Sequence, residues 1–376
     1  MKITKIESIP VRVPLKVGMT MKTAHGEHVN SHYVIVRVHT DAGIIGLGEA
    51  TVGPRWNGEN ATGCKAVIDE FLTPLLIGAD PLERTRIRAK MDEEIKLHPF
   101  AKAAIEMALF DIAGKFFKVP VYHLLGGAVR KQVPIKMVVG GFPPAQAAKL
   151  AEKFFNEGTL HIKVKVGIQP AEDIERLRAI REVVGPNIWL SVDGNGGWSL
   201  ATAKMMLAYL EEFDIRLIEQ PIPPGDPEAL ADLRSRTDIP IMADESAFNL
   251  TEAWTVAAAG AADVISVYPG KNGGIIPAIE IAHLAKAAGL ACHMGSNLEL
   301  GIATAAMLHL AAACPTIDCE NYPADILGPL YHQWDVIKEP LKLGPNLAVV
   351  PEGPGLGVEL DEAACGLALA ATTSGR

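Results

Sequence analysis

Short apolar segments alternate with longer, partly polar segments along the second half of the chain. After Lys131 the apolar segments read "VPIKMVVGG", "HIKVKVG", "IWLSVDG", "IRLIEQP", "IPIMADES", "DVISVYPG", "GLACHMG" and "TIDCEN". Polar residues at or next to the ends of six of them lie 24 to 28 residues apart, at Lys165, Asp193, Glu219, Asp244, Tyr268 and His293. That spacing suits a strand, a helix and two short loops. The pattern therefore predicts eight βα units, which would close into a (β/α)8 barrel more readily than form an open doubly wound sheet.

The segments on either side of this repeat have other patterns. Residues from about 1 to 60 alternate like hairpin strands, and residues from about 62 to 125 are helical in pattern. The stretch after about Leu327 returns to short strands and turns. We therefore predict an α/β fold, a (β/α)8-type barrel with an N-terminal α+β capping domain completed by the C-terminal segment. The predicted boundaries are 1–130 for the capping domain, 131–325 for the barrel and 326–376 for the C-terminal segment.

Composition narrows the class of protein. Of the 376 residues, 49% are hydrophobic and 21% are charged, so a sizeable core is feasible. The formal net charge of −9 argues against a nucleic-acid partner. None of the five cysteines forms a CxxC pair, and their number is odd, which fits reduced thiols in a cytoplasmic protein. We expect neither a signal peptide nor a membrane span, because the apolar stretches are short or broken by charges.

Candidate chemistry lies at the ends of four consecutive strands. In "HIKVKVG", Lys163 and Lys165 share one strand face, and the next three strands end at Asp193, Glu219 and Asp244. In a barrel the carboxyl ends of the strands meet at one rim. Each acid alone could be a helix N-cap or a loop residue. Three acids together would repel one another unless a cation neutralised them, and oxygen ligands of this kind suit Mg²⁺, or Mn²⁺ as a substitute.

A set of this kind predicts carboxylate chemistry. A cation held by three carboxylates can bind a substrate carboxylate and stabilise the enediolate that forms when its α-proton leaves. A lysine that is screened from water beside the cation can act as the base. A lysine base with Mg²⁺ is the arrangement described for enolase-superfamily sites.

At these residues the chain resembles the enolase superfamily, in its mandelate racemase/muconate lactonizing enzyme branch. "KVKVG" is similar to the KxK motif of the muconate lactonizing enzyme subgroup, and "DGNGGW", "IEQP" and "ADES" are similar to the three metal-ligand motifs. The resemblance extends over nearly the whole chain. It implies that Lys165 is the base, that Lys163 lies beside the substrate carboxylate, and that Asp193, Glu219 and Asp244 bind Mg²⁺.

The chain departs from this pattern where a second base is usual. The resemblance places a catalytic lysine at the end of the sixth strand, but "YPGKNGG" has Tyr268 there, and Lys271 matches only the later lysine. Related racemases carry a histidine after the seventh strand, where this chain has Asn297; His293 lies four residues earlier. We therefore expect one-sided chemistry, in which Lys165 takes the proton and Tyr268 orients the substrate or assists a leaving group.

Several other residues are candidate substrate contacts. The N-terminal loops "VGMTMKTAHGEHVN" and "TVGPRWNGEN" match loops that close over the site in this family, and they contain His25, His28, Arg55 and Trp56. The predicted substrate contacts are Asn195, Lys271, His293, Asn297, His25 and Trp56. Purely structural alternatives remain: a surface loop for the N-terminal residues, a loop residue for Lys271 and a hydrogen-bonded barrel residue for His293.

Three functions remain open at the level of sequence. The first is a Mg²⁺-dependent lyase or cycloisomerase acting on a small carboxylate, since dehydration and lactonization need only one strong base. The second is a racemase or epimerase of amino-acid derivatives or dipeptides, which normally needs both lysines. The third is a non-catalytic ligand-binding protein on the same fold, against which the complete set of base and metal ligands argues. The resemblance also implies a homo-oligomer.

Overall fold

A three-stranded antiparallel sheet supports the N-terminal part of the molecule. The computed structural model describes residues 1–374, and their side chains as far as residue 369. The strands of this part are β1 (Ile3–Pro14), β2 (Met21–Thr23), β3 (Gly26–His28), β4 (Asn30–Thr40) and β5 (Ile45–Val52). Strands β1, β4 and β5 pair in the order β1-β4-β5, and β2 and β3 form a small separate hairpin.

Five helices follow these strands. They are α1 (Ala61–Ala66), which continues into a π-helical segment at Val67–Leu72, then α2 (Thr73–Leu76), α3 (Arg84–Glu94), α4 (Pro99–Phe117) and α5 (Val121–Leu124). Helix α4 is buried from Phe100 to Gly114 and packs directly on β5. A Cβ atom at Gly48 of β5 would overlap the carbonyl oxygen of Ala104, so the glycine permits this close approach. We call strands β1–β5 and helices α1–α5 the N-terminal cap.

Seven parallel strands form the curved wall of a barrel. After β6 (Gln132–Pro134) these are β7 (Met137–Val139), β8 (His161–Lys165), β9 (Trp189–Asp193), β10 (Ile215–Glu219), β11 (Ile241–Ala243), β12 (Val264–Val267) and β13 (Ala291–Met294), paired in chain order from β7 to β13. The helices of this part are α6 (Pro144–Asn156), α7 (Pro170–Val184), α8 (Leu200–Glu212), α9 (Pro227–Arg234), α10 (Leu250–Ala258), α11 (Pro269–Asn272), α12 (Ile275–Ala287) and α13 (Gly301–Ala313). The predicted barrel of alternating strands and helices is confirmed.

The eighth predicted strand is irregular. The "TIDCEN" segment is not a regular strand. Ile317, within it, forms a single parallel bridge with Cys292 of β13, and Ala324, just after it, forms one with Ile135. Between those bridges the chain turns, with the amide of Tyr322 donating to the carbonyl of Asp318. Pro323 has no amide proton to give to a ladder, which prevents a regular strand here.

The C-terminal segment returns to the N-terminal cap. It contains α14 (Gly328–Tyr331), β14 (Leu347–Val349) and α15 (Glu362–Ser374). Strand β14 pairs antiparallel with β6, and α15 packs against β1. In the described part of the chain, every helix is too short or too polar to cross a membrane.

Candidate active site

The two lysines of β8 point to the inside of the barrel, and their strand neighbours point outward. Ile162 and Val164 are fully buried in the layer between β8 and the surrounding helices. Lys163 and Lys165 line a cavity of about 340 Å³ between the barrel rim and the N-terminal cap. Strand pairing sets Lys165 beside Asp193 of the next strand. The structure therefore brings the lysine pair into the cavity, as the alternation of the strand predicts.

The three predicted metal ligands line the same cavity. Asp193 and Glu219 are paired across β9 and β10, and Asp244 follows the last residue of β11. All three are buried. Burial and the like charge of Asp193 raise the pKa of Glu219 to about 8. The strand ends thus crowd three carboxyl groups together in a place that is shielded from water, and Glu219 holds its proton more tightly than a free carboxyl group.

Lys163 is held by three carboxylates. Its Nζ lies 3.0 Å from Oε2 of Glu219, 2.5 Å from Oδ2 of Asp325 and 3.5 Å from Oδ2 of Asp193. Burial alone would lower the pKa of Lys163, but the three carboxylates together raise it well above its ordinary value. Lys163 is therefore a fixed positive charge rather than a base.

Lys165 has fewer partners and a more open position. Its Nζ donates to Oδ2 of Asp193 at 2.5 Å and to Oδ1 of Asn195 at 3.1 Å. Its side chain is 12% exposed, compared with 4% for Lys163. Asn195, a predicted substrate contact, also lines the cavity, and its left-handed backbone (φ 42°) turns the chain directly after β9.

Lys271 is buried behind the predicted metal ligands, outside the cavity lining. Its Nζ donates to Oδ1 of Asp244 at 2.8 Å and to the carbonyl of Ser266 at 2.6 Å. The side chain has no exposed surface. The amide of Asp244 in turn donates to the side chain of Gln220 at 3.0 Å. Lys271 therefore fixes the carboxylate of Asp244, and Gln220 fixes its backbone amide.

His293 also lies outside the cavity lining and is fully buried. Its Nε2 is 2.5 Å from Nζ of Lys136, which also donates to the carbonyl of Pro323 at 2.6 Å and lies 3.0 Å from Oδ1 of Asp325. Burial and the positive charge of Lys136 lower the pKa of His293 well below its ordinary value. The ring of His293 is a hydrogen-bonded part of the barrel interior, which is the structural alternative to a substrate contact.

Tyr268 lies behind Trp56. The two rings are stacked with centroids 6.2 Å apart, Tyr268 is 1% exposed, and Trp56 is the one that lines the cavity. The hydroxyl of Tyr268 has no hydrogen-bond partner among the described residues. Burial and the charge of Asp244 raise the pKa of Tyr268 well above its ordinary value, so the hydroxyl stays protonated. A direct role for Tyr268 in orienting a substrate remains a prediction, and it requires Trp56 to move.

Both N-terminal loops reach the barrel rim through Glu245. Its Oε1 accepts from Nε1 of Trp56 at 3.1 Å and from Nδ2 of Asn195 at 3.0 Å, and Nε2 of His25 lies 3.5 Å away. Asn297 lines the cavity as well, and its Nδ2 donates to the carbonyl of Thr51 at 3.1 Å. The predicted loop contacts are thus gathered over the cavity.

Three residues of the site escaped the sequence analysis: Lys136, Glu245 and Asp325. Lys136 interrupts the apolar run "VPIKMVV" as Lys163 interrupts its own, and that signal was available. Glu245 directly follows Asp244, so it was easily taken for part of the same motif. Asp325 lies just after the irregular "TIDCEN" segment, where no strand pattern marks it.

The donor chemistry fits a divalent cation, although the side chains as they lie do not yet form a binding group. Across residues 1–374, no group of three or more His, Cys, Asp and Glu side chains is arranged to hold a metal ion. The ammonium groups of Lys163 and Lys165 lie against Asp193 and Glu219 instead. Three buried carboxylates with mutual repulsion are nevertheless the ligand set that Mg²⁺ prefers. Binding requires the two ammonium groups to move off these oxygens.

Comparison with known proteins gives the family. Residues 5–126 match the family model for the mandelate racemase/muconate lactonizing enzyme N-terminal domain, and residues 146–364 match the enolase C-terminal domain-like model. The chain belongs to the mandelate racemase/muconate lactonizing enzyme family of the enolase superfamily. It is therefore an enzyme, and the resemblance found in its motifs is confirmed.

Members of this family with different activities are similarly close to the chain. The N-succinyl-L-Arg/Lys racemase of Bacillus cereus is 36% identical over 96% of this chain and 96% of its own. Muconate cycloisomerase 1 of Rhodococcus opacus is 35% identical over 95% of each chain. A crystal structure of a dipeptide epimerase from Enterococcus faecalis, complexed with Mg and a dipeptide, superposes with a TM-score of 0.90 at 32% identity, covering 96% of this chain and 100% of that one. The overall similarity in sequence and structure does not distinguish among these reactions.

Proposed function

We propose that the protein is a Mg²⁺-dependent lyase or cycloisomerase that moves the α-proton of a small carboxylate through an enediolate, with Lys165 as the single base. The observation that carries this proposal is the asymmetry of the cavity. Lys165 approaches from β8, whereas among the described residues no basic side chain from β12 or from the segment after it lines the cavity. Lys271, the nearest candidate in sequence, is fully buried and bound to Asp244.

One-sided chemistry follows from that asymmetry. Racemisation needs a base on each face of the planar intermediate, because one group removes the proton and another returns it from the opposite side. Elimination and lactonization need one strong base. Tyr268 lies behind Trp56, and its protonated hydroxyl can donate a proton but cannot act as a second base. The cavity therefore favours a lyase or a cycloisomerase over a racemase.

Asp193, Glu219 and Asp244 would hold the Mg²⁺, and Mn²⁺ is a plausible substitute in such a site. The bound cation supplies stabilisation of the negative charge that a substrate carboxylate gains when it loses its α-proton. Lys163 supports the same charge with its ammonium group, whose pKa is raised by the carboxylates around it. Lys165 removes or delivers the proton, and the two N-terminal loops, which lie over the cavity, exclude water from it.

The metal site is tested by binding rather than by turnover. Mg²⁺ should raise the melting temperature of the wild-type protein, because a ligand that binds only the folded state stabilises it. Asp244→Asn should lose most of that increase. The exposed Asp226→Asn at the start of α9 serves as the control, and it should respond to Mg²⁺ like the wild type. An unchanged response in the Asp244 variant would contradict the ligand assignment.

The base is tested by isotope exchange. Small carboxylic acids, each as separate enantiomers, are incubated with enzyme and Mg²⁺ in D₂O and followed by NMR. Any active substrate should exchange or react as one enantiomer only, and Lys165→Ala should abolish this while Lys163→Ala weakens it. Efficient interconversion of two enantiomers would favour the second candidate, a racemase or epimerase, which the similarity to racemases of this family supports.

A further inference from the structure

His28 lies in the cavity wall on the side of the N-terminal cap, and one of its ring nitrogens already has a partner. Its Nε2 is 2.7 Å from Oγ of Ser31, which is 2.8 Å from Nε2 of His332. The Nδ1 of His332 lies 2.7 Å from the carbonyl oxygen of Gly328. Ser31 and His332 are each 1% exposed, so these contacts are screened from solvent. Their polar atoms must therefore find hydrogen-bond partners among themselves.

The contact between His332 and Gly328, at the end of this series of hydrogen bonds, determines where the protons lie. A carbonyl oxygen only accepts, so Nδ1 of His332 carries a proton and donates to Gly328. Burial lowers the pKa of His332 to about 4, so its ring is neutral and its Nε2 is an acceptor. The hydroxyl of Tyr33 lies 2.8 Å from that Nε2 and 2.7 Å from the carbonyl oxygen of Leu298, and it has a single proton to give.

Counting protons then decides the tautomer of His28. Four contacts remain, formed by Ser31 with the two histidines and by Tyr33 with His332 and Leu298. If His28 carries its proton on Nε2, that proton and the two hydroxyl protons serve three of the four contacts. If the proton is on Nδ1, only two contacts are served, and two pairs of acceptors face each other at less than 3 Å. The first arrangement is the more stable one by a full hydrogen bond.

Nδ1 of His28 is consequently left as an unprotonated acceptor. It makes no hydrogen bond with the residues that the structure describes, and His28 lines the cavity together with Asn30 and His32. Burial also lowers the pKa of His28 to about 4, so the ring does not gain a second proton at neutral pH.

We propose that Nδ1 of His28 is the acceptor of a subsite for a hydrogen-bond donor of the substrate. The substrate class is then a small carboxylate that carries a hydroxyl or N–H group away from its carboxylate. The carboxylate part of this statement rests on the proposed function; the donor part rests on the tautomer of His28. A substrate without such a donor leaves a half-buried acceptor unpaired, which lowers its affinity.

The tautomer is measured directly, without a substrate. The full-length protein labelled with ¹⁵N-histidine is examined by long-range ¹H–¹⁵N NMR at neutral pH, and the signals of His28 are identified by their loss in His28→Gln. The nitrogen shifts should show a protonated Nε2 and an unprotonated Nδ1. A protonated Nδ1, alone or in an imidazolium ring, would overturn the proposal.

The subsite is then tested with matched ligands. Short ω-hydroxy carboxylates and the methyl ethers of the same acids are titrated with Mg²⁺ present, and the best hydroxy acid should bind about tenfold more tightly than its ether. The amide of Asn overlaps Nδ1 of a histidine, whereas the amide of Gln overlaps Nε2. His28→Asn should therefore keep the preference, and His28→Gln should lose it while keeping the bond to Ser31.

The outcomes separate the two proposals. Equal binding of hydroxy acid and ether by the wild type would overturn the subsite. If neither member of any pair binds with Mg²⁺ present, the carboxylate assignment of the proposed function is wrong, and the NMR result by itself decides the role of His28. Retention of the preference in His28→Gln would show that another group recognises the donor and would also overturn the subsite.

Discussion

Lys163 and Lys165 are two residues apart on one strand, yet their surroundings give them different chemistry. Lys163 is enclosed by Asp193, Glu219 and Asp325, and these carboxylates raise its pKa and favour its charged form. Lys165 touches the edge of this group and opens to the cavity. Two positions along one strand thus distinguish Lys163, a structural charge, from Lys165, a candidate base.

Lys136 lies in the same interior network as Lys163 and allows a test of its stability. Replacing Lys136 by Met leaves Oδ1 of Asp325 and Nε2 of His293 without their cation, and breaking a buried pair in this way costs about 3 to 5 kcal/mol. Urea unfolding should show that loss. The double variant Lys136→Met/Asp325→Asn should be less destabilised than the sum of the single variants, because the two sites share one interaction. Simple additivity would contradict the pairing.

At the scale of elements, a buried carboxylate of the N-terminal cap meets the start of a barrel helix. Glu106 of α4 accepts from the amides of Ile275 and Ile276, at the first turn of α12. A Cβ atom at Gly274 would overlap the Glu106 carboxylate, so the glycine makes room for it. An acid suits a helix N-terminus, where amides lack partners. Here the burial opposes that benefit and raises the pKa of Glu106 to about 7.

This raised pKa predicts a stability that falls with pH. Between pH 4.5 and about 7, the folded state keeps a proton on Glu106 that the unfolded chain has lost. The contribution of Glu106 is therefore fully present below pH 4.5 and is lost as pH rises toward 7, by about 3 kcal/mol. The difference in unfolding free energy between Glu106→Gln and the wild type should shift in favour of the variant over that window. Glu228→Gln, at the exposed first turn of α9, is the control, and a flat difference for Glu106→Gln would refute the assignment.

At the scale of the whole molecule, one carboxylate joins three distant segments. Asp111 of α4 is fully buried and accepts from the amides of Leu47 in β5 and Leu356 in the C-terminal segment, and from Nζ of Lys115. Gly355 lies so close that a Cβ atom there would overlap Oδ1 of Asp111. Asp111 is therefore one of the contacts that fasten the returning C-terminal segment to the N-terminal cap, beside the packing of α15 against β1.

Loss of this fastening should free the C-terminal segment before it unfolds the rest. Asp111→Ala leaves two buried amides without an acceptor and removes the carboxylate partner of Lys115, whose Nζ keeps only the carbonyl of Ile45, at a cost of about 3 kcal/mol or more. Hydrogen exchange should show amides near residue 356 losing protection, while the strands of the barrel stay protected. Asp111→Asn, which retains an acceptor, should lose less. Equal loss of protection in the barrel and in the C-terminal segment would contradict this order.

The sequence by itself determined the repeat of strands and helices, the lysine pair on one face of β8 and the acids at the ends of the following strands. These features are local, because side-chain alternation and strand ends follow directly from chain order. It also contained the motifs that place the chain in its family. Only the tertiary structure decided which polar residues share the cavity. Whether Lys271 and His293 face a substrate or a buried partner depends on Asp244 and Lys136, which lie in other segments of the barrel. Contacts between segments that are far apart in the chain leave no periodic signal, so Asp325 and the acceptor nitrogen of His28 could be found only in the folded molecule.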